Sequence, residues 1–267
     1  MEQNILPLIA AFLYVISGFL TSNRLLGEQS TKLSKNLPLI IGFVALFFHS
    51  IIIYQSTILM EGFNLGVFNA FSLVSFSIVA ILLFSALSKP VENLGIILLP
   101  LAAITIILQL RYPGILLLDS NARWGLKIHV LISIIAYSLL TLASVQSILL
   151  AIIDKQLHDR KPGRFVRAMP TLETMQALLF EMISVGFILL TAALLSGFFY
   201  LENMFAQHLV HKTVLSIVSW VVFATLLWGR FKFGWRGRVA IHWTLWGFAS
   251  LMLAYFGSKI VLEILLK

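Results

Sequence analysis

Long runs of apolar residues, separated by short polar segments, make up most of this chain. Eight of these runs are long enough to cross a bilayer as helices, which takes about 20 residues at a rise of about 1.5 Å per residue. Their predicted limits are residues 3–21, 37–58, 66–87, 94–110, 124–153, 174–200, 209–229 and 239–265. The fifth run is longer than a bilayer requires and is expected to extend beyond the membrane. The pattern predicts an all-α, polytopic integral membrane protein, with a single transmembrane domain over residues 1–267.

Composition agrees with this interpretation. Hydrophobic residues make up 60% of the chain and charged residues only 11%, whereas soluble domains carry about 25% charged residues. The loops leave no room for a soluble catalytic domain, so we expect a protein that is not an enzyme. The sequence contains 0 cysteines, which excludes disulfides and thiolate ligands from this chain. A metal or haem iron would therefore need histidine, methionine or carboxylate ligands.

The positions of the basic residues predict the orientation of the chain. A net charge of +8 would favour nucleic-acid binding in a soluble protein, but here most of the 19 basic residues lie in alternate loops. Lys and Arg in short loops are retained on the cytoplasmic side. Both termini are therefore expected outside, with the lipid bilayer as a partner and no nucleic acid. The longest inner loop, residues 154–173, is either a solvated topology signal or a basic surface for anionic lipid or a membrane protein partner.

Histidines are the strongest candidates for chemistry within the spans. His49 lies 12 residues beyond Leu37, which is about 18 Å into the second span and near the bilayer midplane. His129 and His211 lie near the outer ends of the fifth and seventh spans. Two neutral imidazoles from separate helices can ligate haem iron axially, so His129 and His211 form a candidate metal site. The alternatives are interfacial histidines that bond only to water or headgroups and, for His49, a hydrogen-bonded core histidine.

The outer segment before the fifth span mixes cationic and aromatic residues. Arg123 and Trp124 end this segment, and they are predicted to lie at the mouth of a haem site, where they could contact the propionates. An interfacial anchor is the commoner use of such residues.

Several sequence stretches follow one another in an order typical of one family. They are Leu126-Lys-Ile-His129-Val with Ile135-Ala-Tyr137-Ser-Leu, Gly186-Phe-Ile-Leu-Leu-Thr191 with Leu195-Ser-Gly197, Trp220-Val-Val-Phe-Ala-Thr-Leu-Leu with Gly234-Trp-Arg-Gly237, and Gly247-Phe with Ala254-Tyr-Phe-Gly257. This order resembles the CcsA/CcmC/CcmF cytochrome c assembly superfamily over roughly residues 120–262, with weaker similarity upstream around His49. The resemblance implies a CcsA-like membrane core at 120–262 in the bacterial inner (cytoplasmic) membrane. It places His129 at the family's first outer haem histidine and His49 at its transmembrane one.

One part of the family pattern is missing. The family's tryptophan-rich outer loop, WGxxWxWDPKE, corresponds here to residues 202–213, which contain neither tryptophan nor aspartate. The family histidines near the inner end of the seventh span and beyond the eighth span have no counterpart either. The sequence around His211 and the stretch Gly234-Trp-Arg-Gly-Arg238 resemble the YpjD and HemX-like branch, which carries the same membrane core without that loop. His211, in the place of the lost loop, is inferred as a replacement ligand.

These features predict a non-enzymatic, haem-binding inner-membrane protein. It would hold or pass haem b near the outer face, for cytochrome c assembly or haem handling. Two other hypotheses stay open. One is a regulatory or scaffolding subunit that has kept the fold without haem and binds a membrane protein partner, and the other is a transporter of haem or a small molecule.

Overall fold

The structure, a computed structural model, describes residues 5–26, 34–58, 62–112, 114, 117–119, 124–160, 163–200 and 210–257. Its α-helices are α1 (Ile5–Leu26), α2 (Asn36–Ile53), α3 (Val67–Ser88), α4 (Gly95–Arg111), α5 (Trp124–His158), α6 (Arg164–Ala168), α7 (Leu172–Tyr200), α8 (Val210–Phe233) and α9 (Arg238–Met252). Within this part of the chain, 8 helical segments have the length and hydropathy to cross a membrane. The predicted all-α membrane protein with about eight spans is confirmed.

The structure adds details that the apolar pattern does not predict. Helices α2 and α9 each continue into a π-helical turn, at Tyr54–Ile58 and Leu253–Gly257. Strands β1 (Gly62–Asn64) and β2 (Leu117–Asp119) form one antiparallel pair that links the loop after α2 to the loop after α4. Helix α5 has 35 residues, or about 52 Å at 1.5 Å per residue, against a hydrocarbon core of about 30 Å. Residues 258–265 of the predicted eighth span lie outside the described residues.

Contacts between Cα atoms divide the chain into two compact units. Unit 1 comprises Met1–Asn121 and Gly163–Met169, and unit 2 comprises Ala122–Pro162 and Pro170–Lys267. Unit 2 begins close to residue 120, where the predicted CcsA-like core begins. The single domain over residues 1–267 stays a prediction.

Small side chains allow the helices of unit 1 to pack closely. Ala10, Ala45 and Ala102 lie on α1, α2 and α4, and each is fully buried. Gly18 of α1 faces Pro100 of α4, and a Cβ atom at Gly18 would lie only 3.1 Å from the proline Cδ. Because lipid tails are as apolar as the side chains, such close van der Waals packing is a main source of helix association in a membrane.

Helices α5 and α7 are antiparallel neighbours in unit 2. Three contacts show how the two helices are aligned: His129 with Ala193, Leu140 with Gly186, and Gln146 with Met175. Trp220 of α8 donates a hydrogen bond of 2.9 Å to the Thr191 hydroxyl of α7. The start of α5, the end of α7 and the start of α8 therefore share one end of unit 2, which we call the His129 end.

Candidate functional site

His129 is held by the backbone and a side chain of the neighbouring helix. It is half-buried on the second turn of α5. Its Nδ1 lies 3.0 Å from the carbonyl oxygen of Ala193 and 3.0 Å from the hydroxyl oxygen of Ser196, both on α7. The Ser196 hydroxyl donates its own proton to the same Ala193 carbonyl, at 2.9 Å. The imidazole orientation is thus fixed by a hydrogen-bonded group on α7.

This arrangement assigns the tautomer of His129. A carbonyl oxygen only accepts hydrogen bonds, so Nδ1 must carry the proton and donate it. In a neutral imidazole, Nε2 then carries a lone pair and no proton. Among the residues that the structure describes, Nε2 of His129 has no hydrogen-bond partner. An imidazole whose Nδ1–H is bonded to a carbonyl is the usual form of a histidine that ligates a metal through Nε2.

The predicted mouth of the site is described only in part. Trp124, at the start of α5, is 78% exposed. The Lys127 ammonium lies 5.2 Å from the centre of its ring, a cation–π contact, and Lys127 stands two residues before His129. Arg123 lies outside the described residues, so its role toward haem stays a prediction. At least one cation, Lys127, is thus present at the His129 end.

His211 lies at the same end of unit 2 but in a different environment. It occupies the first turn of α8 and is exposed. Within the described part of the chain, no hydrogen bond or ring contact joins it to His129 or to any other residue. The structure therefore places both candidate ligands at one end of unit 2 but fixes the ring of His129 alone. His211 as a replacement ligand stays a prediction.

His49 belongs to unit 1, where it is fully buried between three helices. Its Nδ1 lies 3.2 Å from the Tyr14 hydroxyl of α1, and its Nε2 lies 2.9 Å from the Ser72 hydroxyl of α3. The Tyr14 and Phe76 rings meet it edge-on, at centroid distances of 5.7 and 5.4 Å. Both nitrogens are satisfied in either tautomer, because each neighbouring hydroxyl can donate or accept. Ligation of iron would require His49 to give up one of these bonds.

His242 offers a useful comparison within unit 2. Its Nδ1 lies 2.7 Å from the carbonyl oxygen of Arg238, one turn earlier on α9. It has the same inferred tautomer as His129, but it is exposed and lies near the opposite end of the unit. The carbonyl bond is therefore not special to His129. His129 differs from His242 because it is half-buried and because its hydrogen-bond partner lies on a second helix.

The residues at the His129 end would provide one protein ligand to haem iron. The donor is a neutral imidazole with an oriented, unprotonated Nε2, and a cationic side chain lies within one turn of it. Haem needs only one or two protein ligands, because the porphyrin supplies the others.

His129 stands out in the sequence, but the residues that orient it do not. Ala193 contributes only a backbone carbonyl, which leaves no side-chain signal. Ser196 lies within the stretch Leu195-Ser-Gly197, which was noted for its resemblance and not for chemistry. The partners of His49 were also missed, since Tyr14 and Ser72 come from spans 35 residues upstream and 23 residues downstream.

Comparison with known proteins supplies the family. A family model described as "Cytochrome C assembly protein" matches residues 37–266. "Inner membrane protein YpjD" of Escherichia coli (strain K12) is 34% identical over 238 residues, covering 86% of this chain and 88% of that protein. "Cytochrome c biogenesis protein CcsA" of Chlamydomonas reinhardtii is 29% identical over 158 residues, covering 58% of this chain and 43% of that protein. No solved structure matches the chain.

The match begins upstream of the stretch in which the sequence resemblance was strongest, and it includes most of unit 1 as well as unit 2. The resemblance to the CcsA-like superfamily and to YpjD is therefore confirmed. The eight candidate spans and the similarity to YpjD also confirm that this is an inner membrane protein. The chain belongs to the cytochrome c assembly protein family.

Proposed function

We propose that this chain acts in cytochrome c biogenesis or haem handling by holding haem b at the His129 end of unit 2. The observation that carries the proposal is the hydrogen bond from His129 Nδ1–H to the Ala193 carbonyl. It leaves Nε2 free of a proton and holds the ring against α7. Membership of the cytochrome c assembly family and the CcsA relatives support the same role.

The chain's own residues would perform three tasks toward haem. His129 would donate its Nε2 lone pair to the iron, and the iron–porphyrin group would supply the chemistry of cytochromes. The Ala193 carbonyl and the Ser196 hydroxyl would keep the imidazole in the ligating tautomer and make it more basic. Lys127, and Arg123 in the outer segment, would neutralise the propionates. None of these tasks breaks or forms a covalent bond, so the proposed role is not enzymatic.

We further propose that the His129 end faces away from the cytoplasm. The basic loops that support this orientation lie at the opposite ends of the same helices, and both termini are then outside. His211 would lie at the same outer face and would supply a second imidazole to hold the haem. Haem held there would be available to an apocytochrome or another acceptor outside the membrane.

The test is an absorption spectrum of the full-length protein purified from haem-replete cells. We expect a Soret band in the wild type and its loss in His129→Ala, because this variant removes the imidazole that the structure orients at the His129 end. The matched control is His242→Ala, which removes an imidazole with the same carbonyl hydrogen bond from near the opposite end of unit 2. This control should keep the Soret band at its wild-type height.

Two results would contradict the proposal. One is a wild-type protein that is colourless and takes up no haem when haemin is added. The other is a Soret band that survives in His129→Ala at the height of the His242→Ala control. A colourless protein that still captures a membrane partner would favour the scaffolding hypothesis instead.

A further inference from the structure

A cavity lined by two arginines, a glutamate and a glutamine lies at the end of unit 2 opposite to His129. It has a volume of about 440 Å³ and is lined by Glu173, Gln176, Ala177, Arg230 and Arg236. The first three residues lie in the first two turns of α7, Arg230 lies in the last turn of α8, and Arg236 lies in the segment that leads to α9. Its size is in the range of small-molecule sites, about 300–1,000 Å³. We call it the Arg230 cavity.

The Arg230 guanidinium is held in place by an aromatic ring and a backbone carbonyl. It stacks over the Phe180 ring at 4.7 Å from the ring centre, and it donates a hydrogen bond of 3.4 Å to the carbonyl oxygen of Trp235. Arg236 is exposed and projects from the same segment. Within the described residues, neither guanidinium has a carboxylate oxygen within 4.0 Å. Two cations with free donors therefore face one cavity.

The segment that carries Arg236 has a specific conformation. Gly234 and Gly237 have φ values of +67° and +59°, which residues other than glycine rarely adopt. Between them, the Trp235 ring packs on Gly229, where a Cβ atom would overlap the ring. Trp235 also packs against the Trp243 ring, at a centroid distance of 5.6 Å. This packing fixes the position of Arg236 relative to Arg230.

Exposed aromatic side chains indicate the depth of the cavity in the membrane. Trp228, Phe231 and Phe233 flank Arg230 on the last two turns of α8, and they are 61%, 91% and 61% exposed. Tryptophan rings on the outside of a membrane protein, such as that of Trp228, concentrate at the level of the lipid headgroups. The Arg230 cavity therefore opens at headgroup level.

We propose that the Arg230 cavity binds the headgroup of a zwitterionic phospholipid, phosphatidylethanolamine. The phosphodiester would accept hydrogen bonds from Arg230 and Arg236, because planar guanidinium groups match phosphate oxygens well. The Glu173 carboxylate would repel a ligand that carries only negative charge, but it would pair with the ammonium group of this headgroup. Gln176 can donate to a phosphate oxygen or accept from the ammonium group. The combination of two cations and one carboxylate thus favours a headgroup that carries both charges.

The experiment is native mass spectrometry of the full-length protein in mild detergent. Dioleoyl phosphatidylethanolamine, dioleoyl phosphatidylglycerol, glycerophosphoethanolamine and inorganic phosphate are titrated separately. We expect phosphatidylethanolamine to bind most tightly. Arg236→Gln should weaken it by about tenfold, the value of one charge-assisted hydrogen bond. Arg236 is exposed, so this variant should fold normally. Glu173→Gln should remove the preference over phosphatidylglycerol.

Lys232→Gln is the matched control, because it removes a positive charge from the last turn of α8 but does not line the cavity. It should change the affinity less than twofold. Equal losses in Lys232→Gln and Arg236→Gln would overturn the proposal, since the effect would then be general surface charge. Phosphatidylglycerol bound as tightly as phosphatidylethanolamine by the wild type would also overturn it. Glycerophosphoethanolamine or phosphate bound as tightly as the lipid would identify a soluble phosphate compound as the ligand and overturn the lipid assignment.

Discussion

Removal of the Tyr14 hydroxyl tests whether His49 is a packing residue or a ligand. Tyr14 and His49 are both fully buried, and their hydrogen bond of 3.2 Å joins α1 to α2. In Tyr14→Phe the ring volume is almost unchanged, so the main effect is that Nδ1 of His49 loses its partner. A buried polar atom left without a hydrogen bond costs about 1–3 kcal/mol. We therefore expect the free energy of unfolding to fall by that amount.

The melting temperature of the purified protein in detergent measures this change. For a chain of this size, 1 kcal/mol corresponds to a shift of about 2–4 °C, so Tyr14→Phe should lower Tm by roughly 2–12 °C. Tyr54→Phe is the matched control, because Tyr54 is 52% exposed and makes no hydrogen bond within the described residues. Its Tm should stay within about 2 °C of the wild type, as expected for a surface substitution.

The haem spectrum provides the second measurement on the same variants. If His49 only stabilises the helix packing of unit 1, Tyr14→Phe will lower Tm and leave the position of the Soret band unchanged. A shifted Soret band at unchanged Tm would contradict a purely structural role of His49 and would show that it ligates haem. Equal Tm values for Tyr14→Phe and Tyr54→Phe would refute the assigned cost of the unpaired nitrogen.

Three further predictions concern unit 2 and the orientation of the chain. Because the chain has 0 cysteines, single cysteines introduced at Asp159 and Tyr112 can be labelled without background. A membrane-impermeant maleimide added to intact spheroplasts should label Tyr112→Cys and not Asp159→Cys. The reverse labelling pattern would contradict the proposed orientation. Gly186→Ala should destabilise the protein by about 1–3 kcal/mol in thermal melts, because its Cβ would lie 2.8 Å from Leu140 Cδ2. If the clash is the cause, Gly186→Ala and Leu140→Ala combined should cost less than the sum of their separate losses. Ser196→Ala should weaken haem binding by no more than about tenfold in a haem titration, since the Ala193 carbonyl still holds the Nδ1 proton; a complete loss would show that the hydroxyl, and not the carbonyl, orients His129.

The helical architecture could be predicted because each span is determined by local composition. An apolar run of about 20 residues has no other low-energy state in a bilayer, where every backbone group must be hydrogen-bonded within its own helix. The β1–β2 pair and the short helix α6 escaped prediction because they lie in polar segments without a comparable constraint. Their formation depends on which loops meet, and that is a property of helix packing.

The candidate site could be predicted only as far as single side chains. His129 stands out in the sequence, but its orientation depends on a carbonyl 64 residues away. The Gly234-Trp-Arg-Gly237 stretch stood out as a motif, yet its role needed the packing of Trp235 on Gly229. Long-range pairs of this kind depend on the helix register. An apolar pattern does not determine that register, because lipid-facing and helix-facing positions are equally apolar.

The polar residues of the chain differ in how completely they are paired, and this difference separates structural groups from binding groups. In the middle of unit 1, the two nitrogens of His49 are both taken by hydroxyls from other helices. At the ends of unit 2, His129 keeps an Nε2 that has no partner among the described residues, and Arg230 keeps guanidinium donors that face a cavity. An unpaired polar group deep in a bilayer is costly, whereas one near the headgroups can be satisfied by water or a ligand at little cost. Iron ligation at His129 and phosphate binding at Arg230 therefore require no existing hydrogen bond to break, whereas ligation by His49 would.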